Sequence, residues 1–186
     1  MLIKAQFPEV DVTKFAFLGP LAGALARPVG GILSDKIGGA RLTFWSFAAM
    51  VVTIVIGILP ALHEHQFMTF LASFIGMFIL TGLGNGSTFT MIPIIFQTER
   101  ARAAAGKGDA ALAQSRLDAA KESAAVLGFS GAIGAYGGFF IPQSFGTAIK
   151  MTGSPNMALY IFIGFYISCM AITWWYYSRK GAEMPC

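Results

Sequence analysis

Charge is scarce in this sequence. Only 12% of its 186 residues are Asp, Glu, Lys or Arg, against about 25% in soluble domains. Histidine and cysteine are rarer still, at two each. Two cysteines give no disulfide framework, since Cys169 sits in an apolar run and Cys186 at the end. No His/Cys/Asp/Glu cluster has metal-ligand spacing and no nucleophile–base pair appears, so the sequence calls for no metal, no cofactor and no enzyme activity. His63 and His65, around Glu64, either chelate at i, i+2 or sit in a solvated turn. Met1 to Asp11 hold no apolar h-region of a secretory leader. The net charge of +4 does not point to nucleic acid, because the basic residues are confined to short segments between apolar runs.

What fills the space is apolar. Hydrophobic residues make up 55% of the chain, and they gather in five runs at about 15–34, 42–62, 67–97, 123–149 and 157–177. Each is long enough for the roughly 20 residues that cross a bilayer. The chain therefore reads as all-α, a polytopic membrane helix bundle embedded in lipid. The third run is 31 residues without a charge, more than one straight span needs. Gly82-Leu83-Gly84-Asn85-Gly86 and Pro93 offer it places to kink or bend. Thr152-Gly153-Ser154-Pro155-Asn156 is a turn between the fourth and fifth runs.

Lys and Arg set the orientation. The segments after the first, third and fifth runs hold nine: Lys36, Arg41, Arg100, Arg102, Lys107, Arg116, Lys121, Arg179 and Lys180. The other side holds Lys4, Lys14 and Lys150. The N-terminus is thus expected outside, the C-terminus inside, and the 98–122 loop in the cytoplasm, with a short surface helix at Asp109–Glu122. Trp174, Trp175, Tyr176 and Tyr177 look like an interfacial aromatic belt.

Two features ask for more than insertion. The first is the stretch from Gly128 to Pro142, inside the 27-residue charge-free run Ser123–Ile149. Five glycines in the eleven residues Gly128–Gly138 would weaken a soluble helix by roughly 1 kcal/mol each. In lipid, small residues let helix backbones approach closely. Gly128, Gly131, Ala135, Gly138 and Pro142 share a face, with Gly134 at its edge, and Gly134-xxx-Gly138 is a GxxxG. The expectation is a helix pressed against another helix or a narrow substrate path.

The second is Arg27, the one charge deep within a run. It is expected on a face with Gly19, Gly23 and Gly30. Either it pairs or snorkels to the interface, or it holds an anion. A guanidinium can grip a small planar oxyanion through two parallel hydrogen bonds, which lysine cannot. No Asp, Glu or His lies within any run, so a proton relay has no titratable carrier here apart from Tyr and Cys residues, whose reference pKa values are high. That favours exchange of like anions. Between the first two runs lies Gly31-Ile32-Leu33-Ser34-Asp35-Lys36-Ile37-Gly38-Gly39-Ala40-Arg41, a tight turn whose acid suits a neighbouring helix N-terminus. It resembles the G-x-L-x-D-K/R-x-G-x-K/R loop of major facilitator transporters, with Gly31, Asp35, Lys36, Gly38 and Arg41 at or near the motif positions.

Together, Phe17-Leu18-Gly19-Pro20-Leu21 to Arg27-Pro28-Val29-Gly30-Gly31, Gly82 to Phe89, and Gly128 to Pro142 resemble the nitrate/nitrite porter branch of the major facilitator superfamily. The last is similar to that family's second nitrate signature. The resemblance implies a partial major facilitator fold: five helices, counterparts of the eighth to the twelfth. The missing N-terminal half would be the partner that completes the site. It implies that Arg27 is one of two arginines clamping nitrate or nitrite, with Gly131 and Gly134 beside the path. Gly128, Gly137 and Gly138 would pack against a glycine-rich helix of the other half. Asn85 would line the path or make a polar helix–helix hydrogen bond. The implied location is a bacterial inner membrane. Two other readings remain: a transporter of another small anion, and a non-transporting subunit of a membrane complex.

Overall fold

The computed structural model describes residues 6–11 and 14–179. Lys4, Lys180 and Cys186, counted above, lie outside them. Five long helices follow one another: α1 (Leu18–Ile37), α2 (Gly39–His63), α3 (Phe67–Ala104), α4 (Asp109–Thr152) and α5 (Asn156–Ser178). No strand occurs among the described residues. The chain is an all-α membrane helix bundle, a partial major facilitator fold.

Four of the helices, α2 to α5, are long and apolar enough to cross a membrane. The fifth, α1, has 20 residues, so length is not what it lacks. Arg27, Pro20, Pro28 and its glycines pull its hydropathy below that of the other four. The polar content that sets α1 apart is the content that draws attention to it.

Two connections differ from expectation. The 98–122 segment is not mainly loop: α3 runs on to Ala104, α4 begins at Asp109, and only 105–108 link them. The short surface helix starts where expected but does not stop. It continues through the glycine stretch to Thr152, giving 44 residues, or about 66 Å at 1.5 Å per residue. Arg100 and Glu122 form an exposed ion pair where α3 and α4 leave the apolar region side by side. α3 likewise stays helical through Gly82–Gly86 and Pro93.

Two cores hold the bundle. At the end where α2 passes to α3 and α4 to α5, Ile54, Ile58, Leu62, Phe70, Phe145 and Leu159 are buried together with Phe7. Phe70 is fully enclosed, 5.4 Å from the Phe7 ring and 5.1 Å from Phe74. On this side α2 contains a π-helical turn, Thr53–Ile58. Its first hydroxyl, Thr53 Oγ1, donates to the Ala49 carbonyl at 2.8 Å.

The second core is a seam of small residues between α1 and α3. Gly19, Gly23, Ala26, Gly30 and Ser34 are the buried residues of α1. Opposite them on α3 stand Gly82, Gly86 and Ser87, also buried. A side chain on Gly30 would run into the Leu83 backbone, and one on Gly82 into the Gly23 carbonyl. With no hydrophobic drive between helices in lipid, this backbone-to-backbone contact supplies the van der Waals attraction that does the work.

The glycine run of α4 is the reverse case. No atom lies within 4 Å of a Cβ placed on Gly128, Gly131, Gly134 or Gly138, and Gly137 meets only Ile141 of its own helix. From Gly128 to Gln143 every residue but Gly137 is exposed. The expected tight partner is not among the described residues, because none of the other four helices comes within 4 Å of a Cβ placed on these glycines.

Candidate functional site: a cleft between α1, α3 and α4

Ser34, Thr43 and Ser87 tie three helices together beneath the α1–α2 turn. Ser87 Oγ donates to the Gly39 carbonyl at 2.8 Å and accepts from Thr43 Oγ1 at 3.1 Å. Ser34 Oγ stands 3.5 Å away. All three side chains are buried, Ser87 completely. On α3, Ser87 sits about 200° around the helix from Asn85 at 100° per residue. Ser87 turned inward therefore means Asn85 turned outward.

Asn85 does face outward, into an open cleft of about 660 Å³. Its walls are Arg27, Pro28 and Gly31 from α1, Asn85, Gly86, Phe89 and Thr90 from α3, and Ser130, Gly131, Gly134 and Ala135 from α4. The four residues singled out as substrate-binding, Arg27, Asn85, Gly131 and Gly134, thus line one space. Gly31, expected only as part of the turn, lines it too. Gly128, Gly137 and Gly138 lie on the same helix but outside the cleft.

Arg27 is placed differently from expectation. It does not share the buried face with Gly23 and Gly30; Ala26 does. The backbone of Arg27 lies in the seam, against Gly86, while its side chain is exposed toward the cleft. No ion pair involving Arg27 occurs among the described residues. It is the only charged residue of the lining, and no acid accompanies it. Around it stand an amide, Asn85, and two hydroxyls, Thr90 and Ser130. Thr90 Oγ1 donates to the Gly86 carbonyl at 3.0 Å, so its proton is engaged along its own helix. A single guanidinium among neutral polar groups is suited to one small monovalent anion.

Phe89, Thr90 and Ser130 were not singled out from the sequence. The signal was available: Phe89 and Thr90 follow Asn85 and Gly86 by four residues, the spacing that stacks side chains on one helix face. The α1–α2 turn remains outside the cleft. Asp35, Lys36 and Arg41 are exposed and form no ion pair among the described residues. Gly38 makes the turn with φ 93° and its N–H bonds to the Ser34 carbonyl at 2.9 Å. His63 and His65 are exposed, and no group of three or more potential metal ligands gathers among the described residues. Trp174–Ser178 form a π-helical end to α5, with the Arg179 guanidinium 4.5 Å from the Trp175 ring centre.

No family model matches the chain. Its relatives are nonetheless plain. It is 46% identical over 185 residues to the nitrate/nitrite transporter NarU of Escherichia coli strain K12, a match that covers 97% of this chain and 39% of that protein. It is 32% identical over 181 residues to a probable nitrate/nitrite antiporter, NarK2, of Thermus thermophilus, covering 95% of this chain and 35% of the relative. The chain belongs to the nitrate/nitrite porter family. More distantly, it is 25% identical over 159 residues to a probable nitrate transporter, NarT, of Staphylococcus carnosus, over 85% of this chain and 34% of the relative. The chain thus spans about two fifths of the length of the NarU relatives it matches. It is a multi-pass membrane protein sequence.

Proposed function

We propose that this chain is the C-terminal portion of a secondary transporter that exchanges nitrate and nitrite across a bacterial inner membrane by alternating access. The observation that carries this is the cleft, where Arg27, Asn85, Gly131 and Gly134 meet from three helices. The relatives named as nitrate/nitrite transporters support the choice of anion.

In this reading the Arg27 guanidinium binds two oxygens of a planar anion, and the Asn85 amide donates to another edge. The missing N-terminal half closes the open side of the cleft and covers the exposed α4 glycines. It brings the second cation. Two guanidinium groups in a low-dielectric space repel each other and are costly to desolvate. An anion between them relieves both costs, so the halves rock only when occupied. An exchange cycle follows, and the lack of Asp, Glu and His within the apolar runs agrees with it. The excess of Lys and Arg at the α1–α2 and α3–α4 connections favours those ends as cytoplasmic.

The test uses the full-length protein in proteoliposomes. Nitrite inside should accelerate uptake of labelled nitrate, and Arg27→Lys should abolish it while the protein remains folded. Uptake by Arg27→Lys with unchanged kinetics would refute the role of Arg27. Nitrate uptake indifferent to internal nitrite but driven by a pH gradient would refute exchange.

A further inference from the structure

We propose that Ser87 is a positioning residue for the anion cleft: its buried hydroxyl fixes the rotation of α3 that holds Asn85 and Gly86 against Arg27. The inference rests on the porter reading of the cleft but concerns a residue that does not line it.

A serine hydroxyl has one hydrogen and two lone pairs. At Ser87 the hydrogen and one lone pair are engaged. The hydrogen goes to the Gly39 carbonyl at 2.8 Å, with Ser34 Oγ a longer second acceptor at 3.5 Å, and a lone pair accepts from Thr43 Oγ1 at 3.1 Å. These partners belong to α1 and to the first two turns of α2, so a single atom registers three helices. The neighbouring residue, Gly86, touches the Arg27 backbone, and the one before it, Asn85, lines the cleft. On a helix a rotation that releases Ser87 must also swing Asn85. It must lift Gly86 from Arg27 as well. A glycine seam resists such rotation poorly, because it has contact but no interlocking side chains. Directional hydrogen bonds supply what the seam lacks.

Without the Ser87 hydroxyl, the Thr43 proton loses its partner and the Gly39 carbonyl, already bonded along its own helix, loses its second donor. The helices relax around the defect, and the first quantity affected is the fit of the anion, not the turnover of a bound one. In the full-length protein, Ser87→Ala should raise the nitrate KM about fivefold, the scale of one net hydrogen bond, with kcat little changed. Thr43→Val, which keeps the shape and drops the donor, should move KM the same way. Thr43→Ser, which keeps the donor, should not. Asn85→Cys provides a readout that needs no transport. A water-soluble maleimide should label it more slowly when Ser87→Ala is added, because the cysteine turns out of the cleft.

Folded Ser87→Ala protein with the wild-type KM and an unchanged labelling rate overturns the inference. If Ser87→Ala does not fold, equal KM values for Thr43→Val and Thr43→Ser overturn it instead. If the wild-type protein takes up no nitrate, the porter reading falls, and the labelling rate alone decides the role of Ser87.

Discussion

The backbone carbonyl of Arg27 lies where a side chain on Gly86 would have to begin. The residue proposed to hold the anion is therefore anchored by its main chain while its side chain is left free. Alanine at position 86 would push α1 and α3 apart at that point, and the obstacle is backbone, which cannot swing aside. Overpacking of this kind costs about 1–3 kcal/mol. Gly86→Ala should lower the thermal midpoint of the chain in detergent. Gly76→Ala, on the same helix with nothing within 4 Å of the new methyl, should leave it unchanged or raise it.

The α4 glycines should behave in two ways depending on what surrounds them. In the 186-residue chain, Gly134→Leu has room, since nothing lies within 4 Å of its Cβ. Its thermal midpoint should not fall. In the full-length porter the same substitution should abolish nitrate uptake. A loss of stability in the short chain would show that α4 packs on another helix of its own half.

Gly38 turns the chain between α1 and α2 with φ 93° and ψ 134°. That region is nearly closed to residues with a Cβ, at a cost of roughly 1–3 kcal/mol. Gly38→Ala should destabilise the chain by about that much, read by thermal unfolding. Gly39→Ala tests packing instead, because Ser34 Oγ and Met91 Cβ lie 3.0 Å and 3.1 Å from the new methyl.

Among the described residues no Asp, Glu or His lines the cleft. Nitrate KM should therefore be flat between about pH 6 and pH 8, where an unperturbed histidine would titrate. A tenfold rise across that interval would mean that a titratable group from the other half faces the anion.

Some of this was legible before any coordinates. Depletion of charge over stretches longer than 20 residues can only mean helices in lipid, and Arg27 and Asn85 stood out as polar groups inside them. With Gly131 and Gly134 they line one cleft. The seam was harder to read. Spacing reveals which face of a helix is small but not which helix meets it, so the pairing of α1 with α3 was not legible. Arg27 was misplaced for a related reason: Ala26, one residue earlier, is small enough for the seam, and the long side chain turned away. The unbroken length of α4 escaped notice because Asp109–Glu122 and Ser123–Ile149 differ in composition. Backbone hydrogen bonding is indifferent to that boundary.

That continuity has a mechanical meaning. A helix of about 66 Å is roughly twice as long as the hydrocarbon layer is thick, so α4 is a rod with one end in water. Its polar end, around Gln114 and Asp118, where Gln114 Nε2 donates to Asp118 Oδ1 at 3.0 Å, is a handle outside the lipid. A fluorophore attached there would report tilting of the glycine wall from the aqueous side, without touching the cleft.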